Sequence, residues 1–120
     1  MAEDSVGRMV GLGKVAPETA WAQDEVRIRA AGAQAEIGWL IAPDQQGRGL
    51  GTELAAALLE IAFDADYRRV TAYCFAANEP SWRIMERIGM RREGTFRQDS
   101  LHRSGEWLDS YAYALLASER

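Results

Sequence analysis

Gly47, Gly49 and Gly51 fall within five positions, with Arg48 between the first two, at the head of the stretch QQGRGLGTELAAALLEIAF, residues 45–63. Each glycine costs a helix start backbone entropy, so the cluster calls for a compensating role. A buried strand leads into it and a helix follows. The first turn of a helix leaves backbone N–H groups without intrahelical partners. The aligned peptide dipoles add partial positive charge there, worth roughly 0.3–1 kcal/mol to an anion. Glycines let a ligand approach the backbone and permit the positive φ angles that turn successive N–H groups inward as a nest. Arg48 adds a full charge. The chemistry this predicts is the holding of a phosphate-bearing cofactor. The same glycines also suit a plain turn between strand and helix. The loop is not a Walker A sequence, which needs a lysine and hydroxyl pair. Nor is it a dinucleotide fingerprint, which needs a third glycine at its own spacing and an acidic residue about 20 positions later.

The elements that must position this loop follow from period and punctuation. GRMVGLGKV (7–15) predicts a short strand. PETAWAQDEVRIRAAG (17–32) predicts a helix with a thin apolar face, Pro17 near its start and Gly32 at its end. AEIGWLI (35–41) predicts a buried strand, stopped by Pro43 and Asp44. Leu50, Leu54, Leu58 and Ala62 recur at i, i+4 spacing, and Leu59 and Phe63 widen the stripe, which predicts a helix over 51–66. RRVTAYCF (68–75) has the β-branched and aromatic content of a central strand. Asn78 and Pro80 then open a helix, PSWRIMERIG, that Gly89 closes, with Trp82, Met85 and Ile88 on its core face. The remainder predicts two strands joined near RSGE, with Trp107, Tyr111 and Tyr113 on one alternating face. Strands and helices in this order predict an α/β or α+β domain with a mixed sheet.

A chain of 120 residues predicts one domain, here residues 1–120. With 14 basic and 18 acidic side chains the net charge is -4, which argues against a nucleic-acid partner. The single cysteine, Cys74, excludes an intrachain disulfide and a cysteine-rich zinc site. It reads as a small buried hydrophobe. His102, the one histidine, lies in a charged turn and cannot build a metal site alone. No apolar run approaches the roughly 18 residues of a membrane span, and Glu3 and Asp4 stand where a signal peptide carries a basic region. The expectation is a cytoplasmic protein with no membrane partner.

Gln46-Gly47-Arg48-Gly49-Leu50-Gly51 satisfies Q-x-x-G-x-G between a predicted strand and a predicted helix. It resembles the acyl-CoA pyrophosphate loop of the GNAT superfamily of N-acetyltransferases. AEIGWLIAPDQQGRGLGTELAAALLEIAF followed by NEPSWRIMERIGMRREGTF is similar to the RimJ/RimL-like branch, over residues 35 to about 116. The resemblance implies an α+β (α/β-like) fold, a mixed and mostly antiparallel sheet flanked by helices. It implies transfer of acetyl from acetyl-CoA to a primary amine, a peptide N-terminus or a small molecule, by direct attack. Two strands would splay apart, with the pantetheine arm on the backbone of Trp39, Leu40 and Ile41. The pyrophosphate would sit on the amides of Gly47, Arg48, Gly49, Leu50 and Gly51, in the motif that Gln46 opens, with Thr52 just behind.

Asn78 and Ser81 match the N-x-x-S pair of that branch. The resemblance gives Asn78 the pantetheine arm or a nearby water, and Ser81 the protonation of the leaving thiolate; helix capping is the other reading of the asparagine. Amines are mostly protonated at pH 7, so some group must take a proton. Glu36 occupies a strand position where many members carry a base, and reads equally as a strand glutamate facing solvent or an ion partner. Glu93 is a second candidate. A backbone N–H near Ile41 would polarise the thioester carbonyl. Arg83 and Arg87 read as a solvated face or as contacts to the 3′-phosphate. Complete members carry a strand and two helices before the strand at 7–15, whereas residues 1–34 offer one weak strand and one thin helix. The expectations are a truncated product with its cofactor core at 35–116, a homodimer that completes the acceptor groove, or a catalytically inactive acyl-CoA-binding or dimerising module.

Overall fold

The structure, a computed structural model, describes residues 2–3, 9–41 and 49–120, and the side chains of 11–41 and 49–120. A six-stranded sheet runs in the order β1 (Ala2–Glu3), β2 (Met9–Glu18), β3 (Gln34–Ile41), β4 (Arg69–Phe75), β6 (Trp107–Leu116), β5 (Arg91–Leu101). Only β3 and β4 run parallel; every other neighbouring pair is antiparallel. This is the expected mixed, mostly antiparallel α+β fold. The parallel pair is joined through α2 (Leu50–Asp64), as a crossover requires. α3 (Glu79–Arg87) links β4 to β5.

Alternation decides which face is covered. In β3 the buried Ala35 and Ile37 point to one side and the half-buried Glu36 to the other. α2 presents Leu58, Leu59, Ala62 and Phe63 to the first side, and Met85 of α3 joins them with Val70, Met90, Tyr113 and Leu115. The approach is close: a Cβ on Gly13 would stand 2.8 Å from Leu58 Cδ1. The stripe expected for α2 and the core face expected for α3 are thus in place, Met85 fully buried, Trp82 and Ile88 packed against it. Gly89, at φ +96°, ends α3. Tyr113 lies in this core and donates its hydroxyl to Glu86 Oε2 at 2.6 Å. Burial first, and that hydrogen bond second, push its phenol up to about 12. On the opposite face of the sheet Leu12, Leu40 and Tyr73 remain exposed.

Two expectations change. The strand placed at 7–15 continues to Glu18, and residues 7 and 8 lie outside the described residues. The helix expected over 17–32 shrinks to a 3-10 turn (Asp24–Val26) and one α-helical turn, α1 (Arg27–Ala30). Pro17 belongs to β2, opposite Ala35. β1 pairs with β2 only as far as Gly11, so Pro17 sits on an edge, where a residue without an N–H is tolerated. Trp21 and Ile28 are 90% and 85% exposed. The apolar residues of this stretch form no stripe, and nothing pays for a longer helix. In the C-terminal hairpin Tyr111 and Tyr113 pack edge to face, with Trp82 against Tyr111, while Trp107 stands at the exposed end.

Phe63→Ala should cost about 3–5 kcal/mol of unfolding free energy in a urea titration, because the cavity it leaves is walled by the sheet. The raised Tyr113 value gives a pH prediction as well. An unfolded tyrosine titrates near about 10, so the contribution is fully present below that pH and is lost as pH rises toward about 12. Tyr113→Phe should flatten the alkaline limb of Tm against pH; an unchanged limb would mean that other groups set it.

Candidate active site

The site is made by a ladder that stops. β3 and β4 pair only at Gln34–Arg69, Ala35–Val70 and Glu36–Thr71. Beyond those pairs each strand is held by its other neighbour. β3 pairs with β2 out to Ile41–Gly11, and β4 pairs with β6 out to Phe75–Ser110. The two strands therefore part into a wedge, as expected of Trp39, Leu40 and Ile41.

Two cavities open from the wedge. The larger, about 770 Å³, runs between the start of α2 and the start of α3, along Trp39, Leu40 and Ile41, past Gly49, Gly51 and Thr52, to Asn78 and Ser81. The smaller, about 490 Å³, is walled by Leu12, Lys14, Glu36, Tyr73 and Met85. Trp39, Leu40 and Ser81 line both. The expected cofactor residues on β3, α2 and α3 are thus brought together along one groove. Leu50 opens α2 beside it, and Gln46, Gly47 and Arg48 lie outside the described residues.

Gly49 is the N-cap of α2, with φ +76°, a left-handed conformation that favours glycine, and open space where a Cβ would stand. Its carbonyl accepts the Glu53 N–H at 3.1 Å, which leaves the first-turn amides facing forward. Gly51 lines the groove and also spaces the two helices. A Cβ there would meet Ile84 Cδ1 at 2.8 Å, so its bareness lets α2 and α3 close on each other.

Asn78 precedes α3, but its side chain makes no capping hydrogen bond. Its backbone carbonyl accepts the N–H groups of Ser81 at 3.1 Å and Trp82 at 3.3 Å instead. Asn78 lines the larger cavity. Capping by the asparagine side chain is therefore not what this residue does. Glu36 lines the smaller cavity and is an ion partner there, pairing with Lys14 Nζ at 3.3 Å. Glu93, the second candidate base, lines neither cavity. It pairs with Arg69 at 2.7 Å, and that hydrogen bond holds its carboxyl below the usual range. Arg83 and Arg87 are exposed and line the larger cavity, where Arg83 also pairs with Glu79.

Cys74 packs against the core, and burial pushes its thiol up to about 11, so it is a poor nucleophile at neutral pH. His102 packs edge-on to Phe75 and contacts Ser104 Oγ at 2.9 Å, a turn-building role. Lys14 and Tyr73 were not foreseen. Lys14 reaches the site because β2–β3 register puts it opposite Gly38. A glycine inside a strand marks close approach by another group, and that was the available signal.

The family model described as acetyltransferase (GNAT) domain matches residues 2–91. The uncharacterized N-acetyltransferase YnaD of Bacillus subtilis (strain 168) is 44% identical over 85 residues, which are 70% of this chain and 49% of that protein. The chain thus spans about half the length of this curated relative. Among solved structures, the GNAT-family acetyltransferase from Bacillus anthracis superposes with a TM-score of 0.75 at 34% identity, covering 96% of this chain and 63% of its own. The ribosomal-protein-alanine N-acetyltransferase from Brucella melitensis gives 0.79 at 25% identity, covering 96% and 65%. A wedge between two parallel strands, a glycine-capped helix at its mouth and these likenesses agree: the chain belongs to the GNAT family of acetyltransferases.

Proposed function

We propose that this chain carries an acetyl-CoA-dependent N-acetyltransferase activity toward a primary amine, a peptide N-terminus or a small molecule, by direct attack. The observation that carries the reading is the meeting of the two cavities at Trp39, Leu40 and Ser81, where β3 and β4 part. One cavity suits the long phosphate-bearing arm and the other suits the amine. The residues fit acetyl-CoA on two structural grounds: the left-handed Gly49 opens the amides at the start of α2, and the Asn78 amide group is left uncommitted by the cap. Acetyl-CoA would supply the acetyl group as a thioester.

In this reading the chain runs as one unit, residues 1–120, with the cofactor core at 35–116. The backbone of Trp39, Leu40 and Ile41 orients the arm, the amides of Gly49, Leu50 and Gly51 with Thr52 hold the pyrophosphate, and Gln46, Gly47 and Arg48 complete that cradle. Arg83 and Arg87, which line the same groove, add positive charge suited to the remaining phosphate. Glu36 takes the proton that the attacking ammonium must lose. The neutral amine nitrogen would then bond to the acetyl carbon as the carbon–sulfur bond breaks, with Ser81 giving the departing sulfur its proton and taking in return the second proton that the nitrogen sheds on becoming an amide. A backbone N–H near Ile41 polarises the carbonyl. The Brucella melitensis likeness and the N-x-x-S helix start support the RimJ/RimL-like branch. We also infer a cytoplasmic setting from the single cysteine; among the described residues, no helix is long and apolar enough to cross a membrane.

Titration calorimetry with CoA and acetyl-CoA tests the groove. Gly49→Trp should weaken binding by roughly 100-fold, the equivalent of two lost charge-assisted hydrogen bonds, with circular dichroism confirming that the variant is folded. Unchanged affinity in a folded variant would reduce the loop to a turn. Glu36→Gln should lower kcat by about 100-fold or more with the CoA affinity unaltered, and Ser81→Ala should slow thiol release in the same assay. Firm CoA binding with no thiol release toward any amine would favour the inactive module.

A further inference from the structure

The smaller cavity holds a feature that amine transfer alone does not call for. Among the described residues, Lys14 and Glu36 are the only charged ones that line it, and they stand side by side, Nζ to Oε2 at 3.3 Å. The lysine stem lies across Gly38, where a Cβ would stand 2.9 Å from Lys14 Cε. The glycine thus lays the ammonium over the strand beside the carboxylate. Lys14 is 61% exposed and Glu36 28%, so the pair is easily opened by a ligand that offers both charges. Apart from Ser81, the side chains around it are mainly apolar, with Leu12, Leu40, Tyr73 and Met85. The volume of about 490 Å³ is that of a small-molecule pocket.

We propose that Lys14 is a specificity residue for the acceptor, and that the acceptor is a small amine bearing a carboxylate on a neighbouring carbon, with an uncharged apolar remainder. This rests on the transferase reading of the same site. An α-amino acid carries ammonium and carboxylate on one carbon, and it answers Glu36 and Lys14 together. A polyamine finds one carboxylate and a like charge beside it. A peptide N-terminus has its neighbouring carboxylate spent in an amide and leaves the Lys14 ammonium unanswered. Apolar walls favour a side chain without charge.

The test compares L-leucine, L-leucinamide and spermidine as acceptors for the full chain, with CoA thiol release followed in the wild type and in Lys14→Met. Methionine keeps the stem over Gly38 and removes only the charge. The two leucine amines differ in basicity, so the quantity read is the change in their kcat/KM ratio between proteins. Losing a hydrogen bond to a charged group should cut the leucine-to-leucinamide ratio at least about tenfold, mainly through the leucine KM. A ratio that moves less than about threefold, the scale of an exposed ion pair, overturns the proposal, as does an equal fall for all three acceptors. In either case turnover itself keeps the transferase reading standing. If the wild type turns over none of the three, that reading falls at these acceptors, and calorimetric binding of L-leucine and L-leucinamide to the CoA-saturated protein decides the cavity alone. Leucine binding that Lys14→Met weakens upholds the inference; absent binding, or binding indifferent to the carboxylate, overturns it.

Discussion

Everything at the site depends on two strands being held from outside and released in the middle. β3 is bound along its length to β2, and β4 along its length to β6. Their own ladder ends at Glu36 and Thr71. Backbone groups that would be costly to bury unpaired are left at the rim of an accessible wedge, where a ligand or solvent can meet them. The helices inherit their positions from this. α2 returns across β2 and β3 with its N-terminus at the mouth of the wedge, and α3 starts at the tip of β4, so Asn78 and Ser81 face the same opening. Gly13 and Gly51 let these helices come close to the sheet and to each other.

The charges are sorted along the same line. Among the described residues the larger cavity carries Arg83 and Arg87 against Glu79, together with the positive end of the α2 dipole, and the smaller carries one balanced pair. An anionic arm and a compact zwitterion would therefore be drawn to different ends of one continuous opening, and Ser81 stands at the boundary.

Long apolar periods were the readable part of the fold. The stripe from Leu54 to Phe63 and the Trp82–Met85–Ile88 face pack against the core as their spacing says; the run from Ala35 to Ile41 forms the expected strand but fully buries only Ala35 and Ile37, with Leu40 left exposed because the wedge opens beside it. The stretch after Pro17 has helix-forming composition but no apolar stripe, and propensity alone holds only a turn there. At the site, Trp39, Leu40, Ile41, Gly49, Gly51, Thr52, Asn78 and Ser81 were legible through the ordered motifs, and they converge on one groove. Glu93 was not legible as an ion partner, since Arg69 lies far away in sequence and meets it only across the sheet. Lys14 escaped notice for the same reason. Its place follows from a register, and register is not written in either strand by itself.

The wedge also sets how the molecule holds together. On one side stand β2, β3 and α2; on the other β4, β6, β5 and α3. They share a core through Leu59, Phe63, Val70 and Leu115, yet the sheet itself is stitched between them at only a few rungs. A molecule laid in the gap touches both sides and takes the place of the rungs that are missing. Occupancy and rigidity then become one quantity: whatever binds the closed seam in preference to the open chain raises the melting temperature by mass action. A ligand in the seam would then be the tie that the sheet itself does not make there.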